Sequence, residues 1–383
     1  MKRFQPPPFL SGIEKSVIRQ ISDRATPECI RLGLGEPDLP TPQFIRDEAT
    51  RIIQEEQNGY TLQPGLPALQ QLVASSYPDL KLAPQDVIIT AGSQEAMYLA
   101  LMTLVRPGDE VLIPDPGFVA YATITQMAGG RSIYYRLPAA NNFSFDTDDF
   151  RRGLNEKTRV VICTSPSNPT GRAFSNDELN EIARAVEESG SGAYIISDEI
   201  YRDLYYGTSR PASISEYYEN TIVISGLSKS LSMTGWRLGW MCGNRDVIAS
   251  ALVLHGYVTT CASTVSQKTA LVAWTDEAEA ARERHRRTFG ARRDHLLTQL
   301  GREGFNAVEP DGAFYTMVDV REFGSSMEVA EKLLEAGVVT IPGSAFGSES
   351  EGFLRVSFCA DLPVLEEGVK RMAAGLKGRS NNG

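Results

Sequence analysis

Histidine is scarce, at three residues in 383: His255, His285 and His295. Two of them sit in an arginine-rich stretch, so no histidine-based metal centre is expected. The five cysteines, Cys29, Cys163, Cys242, Cys261 and Cys359, are odd in number, widely spaced and without a CxxC pair. That argues against a structural zinc site and fits a reducing cytoplasm. No apolar run reaches the ~18–20 residues that a membrane helix needs. Basic Lys2 and Arg3 lead into Pro6-Pro7-Pro8 rather than an apolar core, so a cleaved secretion signal is not expected. Positive charge is in deficit as well: 38 Lys and Arg face 48 Asp and Glu, for a net charge of −10. A chain of that sign is poorly matched to nucleic acid or to an anionic membrane. No G-x-S-x-G elbow marks a serine hydrolase, and no internal repeat is visible.

What remains is an ordinary globular composition, with 42% hydrophobic and 22% charged residues. The length exceeds the ~250–300 residues at which a single core stops growing, which predicts two domains. Short β-branched runs alternate with helical patterns through the middle of the chain. Asp86–Ala91, Glu110–Ile113, Arg131–Leu137, Arg159–Thr164, Ala193–Ser197 and Thr221–Ser225 read as strands, several of them apolar enough to be buried on both faces. Ser93–Val105 and Ser175–Glu188 read as helices, the second opening on a capping box. Alternating β and α units predict an α/β fold with a mostly parallel sheet covered by helices on both sides. From about Asp276 a charged helix runs to about Leu300, acidic early and basic late, and reads as a solvated helix leading into an α+β domain. Strands near Ala313–Val320, Val338–Ile341 and Phe353–Phe358 follow, with a closing helix around Leu362–Leu376 and a tail from Gly378 expected to fray.

The most specific segment is Gly226-Leu227-Ser228-Lys229-Ser230-Leu231-Ser232-Met233-Thr234-Gly235-Trp236-Arg237-Leu238-Gly239. Its lysine follows a small-residue turn after a buried strand, among Ser, Leu, Met and Trp rather than acids. An amine in such a pocket has a lowered pKa and attacks aldehydes, whereas a lone loop lysine would be a surface residue. The segment resembles the pyridoxal-phosphate attachment motif of the class I/II aminotransferases, of fold type I. Further resemblance runs from Leu32-Gly33-Leu34-Gly35-Glu36-Pro37-Asp38 to Leu354-Arg355-Val356-Ser357-Phe358.

That resemblance implies a seven-stranded, mostly parallel sheet in a large cofactor-binding domain of residues 33–275, with residues 1–32 and 276–383 forming a smaller α+β domain and an N-terminal arm. It implies pyridoxal 5'-phosphate as the cofactor, held as a Schiff base on Lys229, and no metal. Gly92, Ser93 and Gln94 become the phosphate loop at a helix N-terminus, although Ser93 would equally be a plain N-cap. Arg237 adds a charged contact and Ser225 or Ser228 a hydroxyl, and the sequence does not separate the two serines. Asp198 pairs with the pyridine nitrogen. Tyr201, one helical turn further, and Asn168 in Ser165-Pro166-Ser167-Asn168-Pro169-Thr170-Gly171 reach the phenolic oxygen. Glu199 is given no catalytic role. Phe118 stacks on the ring. Tyr60 reaches the phosphate of a neighbouring subunit, which implies a homodimer. Arg355, in an apolar strand, needs an anionic partner, and the resemblance makes that partner the substrate α-carboxylate. Gly35 opens the segment over the substrate, and Phe9 with the stretch Pro6–Ser16 is read as a further cover.

The implied reaction is ping-pong transfer of an amino group from an L-amino acid to a 2-oxo acid in the cytoplasm, with Lys229 moving the proton. A lyase, synthase or decarboxylase on the same fold would reuse the same cofactor shell. So would an amino-acid oxidase. A transcription-regulator effector domain is disfavoured, because only about 30 residues precede Gly33. Gln63 stands where relatives often carry a small residue. The side chain of the donor is not legible in these motifs.

Overall fold

All six strands read from β-branched runs form, and a seventh joins them. In the computed structural model, which describes residues 10–378, the main sheet contains β1 (Val87–Thr90), β2 (Glu110–Asp115), β3 (Arg131–Arg136), β4 (Thr158–Thr164), β5 (Tyr194–Asp198), β6 (Thr221–Gly226) and β7 (Gly239–Cys242). Their spatial order is β1-β7-β6-β5-β4-β2-β3. Every neighbouring pair is parallel except those of β7, which runs antiparallel to both β1 and β6. β7 escapes a sequence reading because Gly-Trp-Met-Cys has no β-branched residue, yet all four positions are buried.

Period-two burial shows why the sheet needs cover on both sides. Val160, Ile162 and Ile196 face one apolar layer with the helices Ser93–Leu104, Ala120–Met127 and Arg245–Val258. Val161, Cys163 and Ile195 face the other, against Thr147–Gly153 and Asn176–Glu188. The second of those helices starts where its capping box predicts, with the Ser175 hydroxyl accepting from the Glu178 N–H.

The later part of the chain builds a three-stranded antiparallel sheet from β8 (Tyr315–Asp319), β9 (Ile341–Pro342) and β10 (Phe353–Ser357), in the order β9-β10-β8. The single strand expected over Val338–Ile341 is instead split at buried Thr340. Val338–Val339 pairs in parallel with Ile30–Arg31, while Ile341 turns into the antiparallel sheet. The helix Asp276–Arg302 also departs from expectation. It is solvated on one face only, since Ala278, Ala281, His285, Phe289, Leu296 and Leu300 are buried along the other. Its Arg292 makes a two-pronged ion pair with Asp38, at 2.6 and 2.9 Å. Lys2, Arg3, the Pro6–Pro8 run, Phe9 and the tail beyond Gly378 lie outside the described residues. Among the described residues no helix is long and apolar enough to cross a membrane, and no group of three or more acidic, His or Cys side chains is placed to hold a metal ion.

Candidate active site

A cavity of about 280 Å³ lies at the carboxyl ends of β4, β5 and β6, where Thr164, Asp198 and the turn after β6 meet its wall. Open α/β sheets bind ligands at such ends. Its wall brings together Gly35, Ser93, Gln94, Phe118, Asn168, Asp198, Tyr201, Ser228, Lys229, Arg237 and Arg355 from seven separate stretches of sequence. Gly92, Ser225 and Tyr60 are not in that wall.

One end of the cavity is built for an anion. The helix Ser93–Leu104 begins there, and its N-cap is Gly92, with no side-chain cap; Ser93 is the first helical residue rather than the cap. The first-turn N–H groups of a helix have no helical partner. Gly92 sits at φ 88°, and a Cβ on it would lie 2.6 Å from Nη2 of Arg237, so glycine is required both for conformation and for close approach. Arg237 is held over this turn by donating to the carbonyls of Thr234 (2.9 Å) and Ala91 (3.3 Å). Of the two serines left open by the sequence, Ser228 lines the cavity. Ser225 is not in that wall, and its hydroxyl donates to the Glu199 carbonyl at 3.1 Å.

The other end carries Asp198. Its buried carboxylate accepts from the Tyr121 hydroxyl at 2.8 Å and the Ile200 N–H at 3.3 Å. Burial raises its pKa, and those two hydrogen bonds only partly offset the rise. A cationic group opposite Asp198 would offset the remaining cost. No helix follows β5: residues 200–203 form turns, so Tyr201 returns to the cavity by a turn rather than a helical repeat. Its hydroxyl shares a hydrogen bond with that of Tyr315 at 2.9 Å. Glu199 points into the protein, where it pairs with Arg202 at 3.1 Å. Phe118 stands edge-on to Tyr121, with ring centroids 5.7 Å apart.

Lys229 lies between the two ends. Its ammonium donates to the Gly35 carbonyl at 2.8 Å and faces the rings of Tyr201 and Phe314. Burial lowers its pKa to about 8, which suits a nucleophile or a base near neutral pH. Gly35 leaves no room for a side chain, since a Cβ would come within 2.5 Å of the Tyr315 hydroxyl.

Arg355, only 2% exposed, projects from β10 between the rings of Tyr315 and Phe346, at 4.3 and 4.8 Å. It donates to Asn168 Oδ1 (2.7 Å) and to the Gly33 carbonyl (2.8 Å), while its Nε has no partner. No carboxylate lies within ion-pair distance of it among the described residues. A buried guanidinium with an unused N–H and no counter-charge is costly unless an anion completes it.

Tyr121, Tyr315, Thr164 and Ile18 also line the cavity, and motif reading assigned them nothing. Tyr121 stands three residues after Phe118, in the first turn of the helix Ala120–Met127, and its N–H donates to the Phe118 carbonyl at 3.1 Å; that spacing is the one signal that links the two.

The family described as aminotransferase class I and II matches residues 27–372. The aspartate aminotransferase of Bacillus sp. (strain YM-2) is 37% identical over 360 residues, covering 90% of this chain and 91% of that one. The aspartate aminotransferase of Thermus thermophilus, solved with maleate, superposes with a TM-score of 0.92 at 29% identity, covering 98% of this chain and all of that one. An aromatic aminotransferase of Pyrococcus horikoshii superposes with a TM-score of 0.88 at 34% identity, over 94% and 99%.

Proposed function

The chain belongs to the class I and II aminotransferases and is a pyridoxal-phosphate-dependent transaminase; from that premise we propose how its own residues hold the cofactor and carry the reaction. The single observation that carries the proposal is buried Arg355, with an unpartnered Nε, in the wall of the same cavity as a lysine whose pKa has fallen to about 8. The residues present fit the cofactor. The helix N-terminus after Gly92, with Ser93, Gln94, Ser228 and Arg237, receives the phosphate. Asp198, raised by burial, would hold the pyridine nitrogen and be stabilised by a proton there. Asn168 keeps its Nδ2 for the phenolic oxygen while its Oδ1 orients Arg355. Tyr201 donates beside it, and Phe118 covers the ring face.

When bound, pyridoxal phosphate supplies the electron sink that weakens the Cα–H bond of an attached amino acid. Arg355 holds the substrate α-carboxylate with Nε and its fork and so fixes which Cα bond faces Lys229. Lys229 is the covalent anchor of the cofactor at rest. Its free Nζ, with a pKa of about 8, would take the substrate's α-proton and hand a proton back. Gly35 receives Lys229 through its carbonyl and roofs the substrate. The cycle is completed when a 2-oxo acid takes the amino group.

Tyr60 is 87% exposed and outside the cavity of its own chain. Around it Leu62, Val253, Tyr257 and Val258 are also exposed, a concentration of apolar surface that monomers rarely leave open. A second copy of this chain covers that face and receives Tyr60 at its own cofactor phosphate. Sedimentation at micromolar concentration is expected to return a dimer, and a fully active monomer would contradict this. Its five unpaired cysteines fit the cytoplasm; recovery of the protein from a membrane or exported fraction would argue otherwise.

The test of the reaction is a half-reaction screen. Holoenzyme is mixed with single amino acids, aspartate and aromatic donors among them, without an acceptor. One donor class is expected to convert the visible cofactor band stoichiometrically and to yield its 2-oxo acid. Return of the band with release of ammonia, a thiol, carbon dioxide or peroxide would replace transamination with another reaction.

A further inference from the structure

Glu95 is the third residue of the helix Ser93–Leu104, in its first turn, and its carboxylate is buried, with 8% of the side chain exposed. A negative charge in the first turn of that helix opposes the phosphate assigned to the same N-terminus. The structure surrounds the charge with three donors. One carboxylate oxygen accepts from Thr259 Oγ1 (2.6 Å) and His255 Nδ1 (2.9 Å), and the other accepts from the Ala91 N–H. Burial would raise the pKa of Glu95, and these three hydrogen bonds outweigh it and hold the group below the usual range. His255 is itself fully buried, and its Nε2 faces the Gln63 carbonyl at 3.1 Å. Both ring nitrogens therefore face oxygen atoms, one of them the Glu95 carboxylate and the other a backbone carbonyl.

The connection runs in both directions from this pair. Ala91, held through its N–H by Glu95, offers its carbonyl to Arg237. Gln63, held through its carbonyl by His255, donates its side chain to the Leu252 carbonyl at 2.8 Å and lies three residues from Tyr60. One buried pair thus touches the Gly92 turn of this chain's own phosphate site and the segment that carries Tyr60 toward the neighbouring subunit's. A buried ion pair is weak evidence for stability, and fixing one arrangement of the chain is the better-attested use.

We propose that Glu95 and His255 are positioning residues of the cofactor-phosphate site: Glu95 fixes the Gly92 turn, and His255 holds the Glu95 carboxylate and ties the turn to the segment carrying Tyr60. This rests on the assignment of Gly92–Gln94 and Arg237 to the phosphate. The experiment compares pyridoxal phosphate with pyridoxal, which lacks the phosphate, for binding to the full chain stripped of cofactor. His255→Gln is expected to weaken pyridoxal phosphate by about ten-fold and leave pyridoxal unchanged. Adding Glu95→Gln to that variant removes the uncompensated charge and is expected to restore part of the loss, a non-additive pattern. Equal weakening of both ligands, or no change in either, overturns the proposal. If His255→Gln does not fold, judged by its melting transition, Glu95→Gln alone carries the same comparison, with a smaller loss confined to pyridoxal phosphate. Arg237→Gln separates the two levels. If it leaves the preference for the phosphorylated ligand intact, the phosphate assignment fails; if it abolishes the preference while His255→Gln does not change it, only the positioning role fails.

Discussion

Lys229→Ala will lose the visible absorbance of lysine-bound cofactor and will turn over about four orders of magnitude more slowly than wild type. No neighbour replaces it. The cavity's other basic side chains, Arg237 and Arg355, are guanidinium groups that do not act as bases near neutral pH. The fold is expected to survive, because the ammonium gives up one hydrogen bond, to the Gly35 carbonyl. The lowered pKa adds a signature that needs no activity. An unfolded lysine titrates near 10.4 and this one near 8, so between those values the unfolded chain binds more protons. The penalty for burying the charge is therefore complete below pH 8 and fades as pH rises toward about 10.4. Stripped of cofactor, Lys229→Ala should melt above wild type at pH 7, with the gap closing through that window. A gap that stays constant or widens there would show that the amine is not desolvated.

The second large effect belongs to Arg355. Arg355→Lys keeps the charge but loses the fork, the donor to Asn168 and the otherwise unused Nε. The loss of kcat/KM for the amino acid is expected at about 100-fold, or roughly 3 kcal/mol. The visible cofactor band should stay, because Arg355 does not hold the cofactor. Single-turnover rates against donor concentration check this. An unchanged concentration dependence would remove Arg355 from the substrate site, and loss of the band would make it a cofactor residue instead.

Local chemistry was legible in the sequence wherever one stretch carried the whole signal. Val160–Cys163 shows its two-sided burial in its apolar run, and Ser175 with Glu178 shows its cap. Lys229 and Arg237 share one turn of chain. What depends on direction was not legible: Ser225 and Ser228 are three residues apart, yet one faces a carbonyl and the other the cavity. Contacts distant in sequence were hidden for a different reason. Tyr121 meets Asp198 across 77 residues, and Glu95 meets His255 across 160. No periodicity links such pairs, since only the closed sheet and its helices bring them together. The helix Asp276–Arg302 misled because its arginines look solvated while Phe289 and Leu296 anchor a buried face.

Lys229 is proposed to hold the cofactor covalently. Holoenzyme reduced with borohydride, digested and mapped by mass spectrometry tests it most directly. A pyridoxyl-phosphate mass is expected on the peptide containing Lys229 and on no other. The same mass on another lysine, or on none, would contradict it.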